Sequence, residues 1–255
     1  PTRLLLRAES MAARLVERRL VEDAAALVLC SQEDAAALPL GRPGSGPVVI
    51  APNGVDLARF GPRPTPGTAR VLFFGSLDFP PNVDGIRWFV DDIWPDVLSR
   101  VPEAELCVVG RRPPSEVLSL AGRPGVRVEG DVPDSVPWYD SSDVVVVPLR
   151  IGTGTRLKAL EAMAAARPVV GTTIGLEGIQ LDRAAQQGAP AAVVADTEPA
   201  MSAAVVRALT DRAHAAALAA AGRAHVERHY GWAAIAEGLA DELAGLAASP
   251  PKQAS

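Results

Sequence analysis

The sequence predicts an α/β chain built on a doubly wound parallel sheet, with part of a preceding domain ahead of it. Short β-branched runs alternate with helical segments from residue 71 to residue 210, as in successive βα units. Three of those runs end in glycine, at Gly75, Gly110 and Gly130, on the side where open parallel sheets place their ligands. The stretch 144–171, VVVVPLRIGTGTRLKALEAMAAARPVVG, reads as one whole strand–loop–helix–strand unit.

Along the chain, residues 7–22 read as a polar helix, 25–31 as a strand and 32–38 as one or two helical turns. A single strand with two helices cannot bury a core. Residues 1–46 are therefore expected to be the tail of a truncated domain. The first residue is Pro rather than Met, as in a chain processed or cut from something longer. Residues 41–47 (GRPGSGP) form a linker by composition. A short strand follows at 48–50, and residues 60–69, rich in Pro and Gly, form a second loose segment.

The main domain is expected over residues 47–230. Its strands fall at 71–74, 106–109, 126–129, 144–147, 169–171 and 192–194. Its helices fall at 82–100, 116–121, 137–142, 155–166 and 198–210, with Pro95 kinking or restarting the first of them. Trp88 and Trp94 on that helix suit packing better than ligand stacking. Residues 213–226 and 232–246 are Ala-rich helices expected to pack outside the sheet. Residues 231–255 hold the last helix and a frayed end.

The loop of the 144–171 unit carries the chemistry. A helix start presents free backbone N–H groups and a partial positive charge, which together hold an anion such as phosphate. Gly152 and Gly154 flank Thr153 and let a ligand approach the backbone. Thr153 or Thr155 can cap the helix. Arg156 and Lys158 add cations in its first turn, a placement the helix dipole disfavours unless an anion is bound. Glu161, three residues after Lys158, shares its face. A donor and an acceptor side by side suit a ligand with both phosphates and sugar hydroxyls. A solvated ion pair on an ordinary capped helix fits the same spacing equally well.

Composition excludes several classes. The 255 residues carry a formal net charge of −5, against a general nucleic-acid binder, and 48% are hydrophobic, enough for a buried core. Cys30 and Cys107 both sit in apolar runs and read as buried small hydrophobes in a reduced compartment. No apolar run approaches the length of a membrane span. His214, His225 and His229 have no cysteine or carboxylate cluster at ligand spacing, so neither a metal site nor a catalytic role is expected of them. Arg18 and Arg19 read as a solvated helix face. Arg111 and Arg112, beyond a strand end, read as solvent-facing too.

Several segments together resemble a known family. Asn53-Gly54-Val55-Asp56 with Phe60 resembles the PNGVD…F segment of retaining glycosyltransferases of the GT-B fold, family 4 type. Phe74-Gly75-Ser76-Leu77 resembles their first glycine loop, and Val108-Val109-Gly110 their second strand end. Leu160-Glu161-Ala162-Met163-Ala164 with Arg167-Pro168-Val169-Val170 resembles their LEAMA…PVV block. Order and spacing agree across residues 5–245. The resemblance implies a complete Rossmann-like, nucleotide-sugar-binding domain and only the end of an acceptor-binding domain.

What the resemblance implies for single residues is specific. Glu161 matches the second acid of the family's E-x7-E motif, which holds the ribose hydroxyls of the donor. The position of the first acid is Thr153, so the sugar contact falls to a hydroxyl and to loop N–H groups. The family's Arg after the first glycine loop is replaced by Ser76 and Leu77, and Asn82 is the polar candidate where a Lys usually stands. The diphosphate is then left to Arg156 and Lys158. The family reading thus gives Glu161, Lys158 and Arg156 the catalytic roles. It gives Gly75, Ser76, Asn82, Gly130, Asp131, Gly152, Thr153, Gly154 and Thr155 to donor binding, with Glu129-Gly130-Asp131 lining the nucleobase.

The implied reaction moves a sugar, hexosyl in type, from a nucleotide diphosphate sugar to an acceptor hydroxyl with retention, in polysaccharide or glycoconjugate synthesis. No metal or other cofactor is implied. The implied partners are that donor and a saccharide or lipid-linked acceptor, in the cytoplasm or at the inner face of the membrane. The chain alone is expected to be nearly inactive, because catalysis needs a cleft between two domains. An epimerase of the same fold, or a degenerate module that binds without turnover, stays open beside this reading.

Overall fold

The structure, a computed structural model, describes residue 11 and residues 15–38, 46–152, 156–181 and 190–248. Two compact units divide the chain. One comprises Pro1–Asn53 with Ile235–Ser255, and the other Gly54–Ala234.

In the smaller unit, residues 15–23 are helical (α1), followed by β1 (Leu27–Leu29), α2 (Gln32–Ala37) and β2 (Val48–Ile50). Ser31 caps α2, its Oγ accepting from Asp34 N at 3.0 Å. β1 and β2 pair in parallel, with Leu27 opposite Val48. Arg18 lies on a solvated face and pairs with Glu22 at 3.4 Å. One expectation fails here. Cys30 is exposed, because it lies just past the end of the three-residue β1, whereas Cys107 is buried.

The larger unit is a six-stranded parallel sheet. Its strands are β3 (Arg70–Ser76), β4 (Glu105–Arg111), β5 (Val126–Gly130), β6 (Val144–Val147), β7 (Val169–Gly171) and β8 (Val193–Val194). They lie in the order β5-β4-β3-β6-β7-β8. The winding reverses between β3 and β6, which makes the gap beyond their carboxyl ends the topological switch point.

β6 is the sequence's clearest strand for a physical reason. All four of its valines are buried, because a central parallel strand is covered on both faces. The two-residue period then divides the core. Val71, Phe73, Leu106, Val108, Val144 and Val146 join one hydrophobic cluster. Leu72, Cys107, Val109, Val145 and Val147 join the other.

The first face is covered by α3 (Pro80–Trp88), α4 (Trp94–Arg100) and α8 (Glu198–Thr210). Trp88 and Trp94 are both buried in this cluster. Between α3 and α4 the helix widens into a π-turn over Phe89–Ile93, with Trp94 N donating to Phe89 O. Pro95 supplies no N–H for the next α-helical bond, so the expected kink takes the form of one wide turn. Short helices α5 (Ser115–Leu118) and α6 (Val136–Asp140) follow β4 and β5. The second face is covered by α6, α7 (Leu157–Ala164) and α9 (Arg212–His229). The final helix, α10 (Trp232–Ala248), buries none of its residues.

The Pro/Gly-rich segment 60–69 is not loose. Asp143 accepts from Gly67 N at 2.6 Å, Thr68 N at 2.9 Å, Thr68 Oγ1 at 3.0 Å and Arg70 N at 3.0 Å. Arg167, fully buried, donates to the carbonyls of Arg63 and Pro64. Arg223 donates to Phe60 O at 2.8 Å and also to Ala164 O. Composition alone signals a loop but not the buried side chains that fasten it. The linker expected at 41–47 lies mostly outside the described residues.

Candidate functional site

β3 ends at Gly75-Ser76 and turns into α3, whose first turn carries Pro80 and Pro81. Asn82 follows, buried, and folds back beneath the loop. Its Nδ2 donates to Ser76 O at 2.8 Å. Its Oδ1 accepts from Lys158 Nζ at 2.7 Å. Lys158 arrives from the opposite wall of the switch point, as the second residue of α7. Its ammonium stands over the Phe73 ring, 4.5 Å from the centroid.

Glycine is what admits this pair. A Cβ on Gly75 would lie 2.7 Å from Lys158 Nζ and 2.9 Å from Asn82 Nδ2. Burial pushes the Lys158 pKa down to about 7, the charge of Arg156 acts the same way, and Glu161 opposes both. An anion entering the crevice would hold this ammonium charged.

Glu161 stands on the next turn of α7. It does not form the ion pair that its spacing from Lys158 allowed. Lys158 turns to Asn82, and Glu161 Oε2 accepts from the Tyr139 hydroxyl at 2.9 Å. Burial raises the Glu161 pKa, while the Tyr139 hydrogen bond and the charges of Arg59 and Lys158 pull it back. Lys158 and Glu161 both keep part of their surface exposed, as groups that meet a ligand must.

Arg156 is placed differently from the expectation. α7 starts at Leu157 rather than at residue 155, so Arg156 occupies the N-cap position, without a side-chain cap bond. Its guanidinium is turned inward. Nε donates to Ile174 O at 3.0 Å, and Nη2 lies 3.5 Å from Glu177. Burial lowers its pKa and Glu177 opposes that shift. Arg156 thereby braces the turn after β7. Gly152 has a φ of +112°, which favours glycine, and a Cβ there would lie 3.4 Å from Arg156 Nη2.

Gly130 and Asp131 stand apart from the Lys158 cluster, two strands away from the switch point. Asp131 adopts a left-handed φ of 54°. Its Oδ1 accepts from Arg112 N at 2.8 Å, and its own N–H donates to Gly110 O at 2.8 Å. A Cβ on Gly130 would lie 2.7 Å from Pro113 Cγ. This pair is built into the loop after β4, where exposed Arg112 also meets Asp78 at 2.9 Å. Thr153, Gly154 and Thr155 lie outside the described residues. The structure thus brings together Gly75, Ser76, Asn82 and Lys158, with Glu161 one turn beyond.

Tyr139, Arg59 and Glu177 complete this surrounding and carry no signal in the sequence. Tyr139 lies on a five-residue helix, too short for periodicity to assign a face. A cavity of about 640 Å³ between Val90, Trp94, Leu98 and Pro124 lies at the amino ends of the strands, away from this chemistry. No helix among the described residues is long and apolar enough to cross a membrane.

A parallel sheet wound in this order, with a lysine and a glycine loop meeting at its switch point, defines a Rossmann-like α/β domain. The chain belongs to the glycosyl transferases group 1 family, whose model matches residues 68–211. A relative described as an uncharacterized 44.6 kDa protein in cps region, from Klebsiella pneumoniae, is 28% identical over 116 residues. That match covers 42% of this chain and 30% of the relative. The fold is that of GT-B glycosyltransferases. Sucrose-phosphate synthase from Thermosynechococcus elongatus superposes with a TM-score of 0.71 at 24% identity, over 94% of this chain and 63% of that one. Anabaena Alr3699/HepE in complex with UDP-glucose superposes with a TM-score of 0.69 at 16% identity, over 91% and 67%.

Proposed function

We propose that this chain is the donor-binding portion of a retaining glycosyltransferase that moves a hexosyl group from a nucleotide diphosphate sugar to an acceptor hydroxyl. The observation that carries the reading is the Lys158–Asn82 contact against Gly75 at the switch point. It provides one cation and a side-chain amide beside a glycine-lined strand end, with the Glu161 carboxylate a turn away. The leaving group is a nucleoside diphosphate. Lys158 meets its developing charge, together with N–H groups at the start of α7. Glu161 accepts from the ribose hydroxyls. Arg156 acts indirectly, by tying the start of α7 to the turn after β7.

The reading assigns the diphosphate to the chain's own groups rather than to a metal. The acceptor is a saccharide or lipid-linked sugar, and the setting is polysaccharide or glycoconjugate synthesis at the cytoplasmic side of a membrane. The match to a protein in cps region and the UDP-glucose bound by Alr3699/HepE support this direction and make uridine the first base to try. Thr153, standing where the family has its first acid, favours one second reading: a module that binds the donor without turnover.

Thermal unfolding with UDP, GDP and ADP tests the proposal. A nucleotide at a hundred times its dissociation constant adds about 2.7 kcal/mol to stability. Stabilisation by one of the three, abolished in Glu161→Ala, is the expected result. No response to any of them in the folded chain overturns it. Transfer from the matching sugar nucleotide by these 255 residues alone is expected to be close to background.

A further inference from the structure

The polar chain in the crevice continues beyond Glu161. The short helix α6 brings Tyr139 into the core with its side chain fully buried. Its ring stands edge-on to Phe60, with centroids 5.6 Å apart and planes at 85°, and leans on Phe74 at 5.7 Å. These two aromatic contacts leave the phenol one orientation. Its hydroxyl lies 2.9 Å from Glu161 Oε2 and 3.3 Å from Lys158 O. Burial and the adjacent Glu161 charge hold the Tyr139 pKa well above the phenol range, so the hydroxyl stays protonated and acts as a donor.

We propose that Tyr139 is a positioning residue for donor binding: it commits Oε2 of Glu161 and leaves Oε1 turned to the crevice for the ribose hydroxyls. The inference rests on the reading of Glu161 as the ribose acceptor. A glutamate has rotamer freedom that a ligand would otherwise have to freeze. A rigid buried donor freezes it in advance, as a supporting shell does in a preorganised site. The hydrogen bond also favours the ionised carboxylate, the form that accepts from two hydroxyls. The charged and titratable groups facing Glu161 are Tyr139 from α6, Arg59 from the segment before β3 and Lys158 from its own helix. Arg59 is held in turn by Asp134 at 2.8 Å. Of these, only Tyr139 touches the carboxylate through a hydrogen bond.

The test uses the whole chain and the variants Tyr139→Phe, Glu161→Ala and the two combined. Carboxyl carbon NMR, with Glu161 assigned through Glu161→Gln, follows the titration of that residue without a ligand. Calorimetry follows UDP binding. In Tyr139→Phe the carboxyl is expected to titrate at higher pH, and UDP affinity to fall about tenfold, with its acid limb moved up in step. A hydroxyl that served packing alone would leave that titration in place. In the Glu161→Ala background, Tyr139→Phe is expected to remove no further affinity. An unchanged titration and affinity in Tyr139→Phe, or losses that multiply in the double variant, overturns the inference. UDP affinity unaffected by Glu161→Ala overturns the ribose reading itself. Affinity lost in Glu161→Ala but kept in Tyr139→Phe removes the tyrosine's role alone.

Discussion

Lys158 Nζ and Asn82 Oδ1 lie 2.7 Å apart, although 76 positions separate the two residues in the chain. Each comes from a different half of the wound sheet, Asn82 from the helix after β3 and Lys158 from the helix after β6. The contact spans the switch point, and it holds the Lys158 ammonium at the glycine end of β3.

Lys158 loses its proton near neutral pH in the free chain, because burial brings its pKa to about 7 from the ordinary 10.5. A bound diphosphate favours the ammonium. UDP binding is therefore expected to take up close to one proton at about pH 8 and almost none at about pH 6. Calorimetry in two buffers of different ionisation heat reads this directly. The folding linkage has the matching sign. From about pH 7 to 10.5 the unfolded chain binds more protons at this residue, so stability rises with pH. Lys158→Met should flatten that rise in urea unfolding series and abolish the proton uptake.

Gly75→Ala places a methyl group where Lys158 Nζ and Asn82 Nδ2 now lie. Both are ends of side chains, and Lys158 can move aside while the strand stays paired. The variant is expected to fold with a Tm within a few degrees of the parent and to lose about tenfold or more in UDP affinity. Global unfolding of this variant would count against the side-chain account.

Arg156 offers the opposite signature. Its inward guanidinium ties α7 to the turn at Ile174 and Glu177. Arg156→Met is expected to lower unfolding free energy by about 2–4 kcal/mol. UDP affinity of the folded fraction should change less than in Lys158→Met. Urea unfolding and calorimetry on both variants separate the two roles.

Asp143 gathers four donors from the segment entering β3. Asp143→Ala leaves the backbone N–H groups of Gly67, Thr68 and Arg70 without that acceptor and is expected to destabilise by about 1–3 kcal/mol, since the first two lie on the exposed segment. Asp143→Asn, which keeps one acceptor oxygen, should lose less. Urea midpoints for the two variants rank them.

The parts of the fold legible in the sequence are those with a repeated local signal. The valine run of β6 and the helix Glu198–Thr210 were readable to the residue. The glycines near the carboxyl ends of β3, β4 and β5 were readable as a βα pattern, although β3 and β4 run one residue past theirs, to Ser76 and Arg111, and β5 alone of the three closes on its glycine. The site was legible as a set of candidates but not as an arrangement. Lys158 and Glu161 share a helix face, yet each is claimed by a partner far away in the chain, and spacing says nothing about distant partners. Arg156 reads as a first-turn cation free to meet the diphosphate, because its inward turn depends on the carbonyl of Ile174, which no composition reveals. Cys30 shows the same limit, since an apolar run does not say where a short strand stops.

The two cysteines also give the chain a built-in chemical handle. Burial and the neighbouring Glu105 push the Cys107 thiol up to about 12, so it offers almost no thiolate to an electrophile at neutral pH. Cys30 is exposed. A maleimide dye or spin label should therefore attach at one position in the unaltered sequence. That position lies in the smaller compact unit, whereas the candidate site lies in the larger. A label there can report on one body while ligand is added to the other, without a single engineered residue.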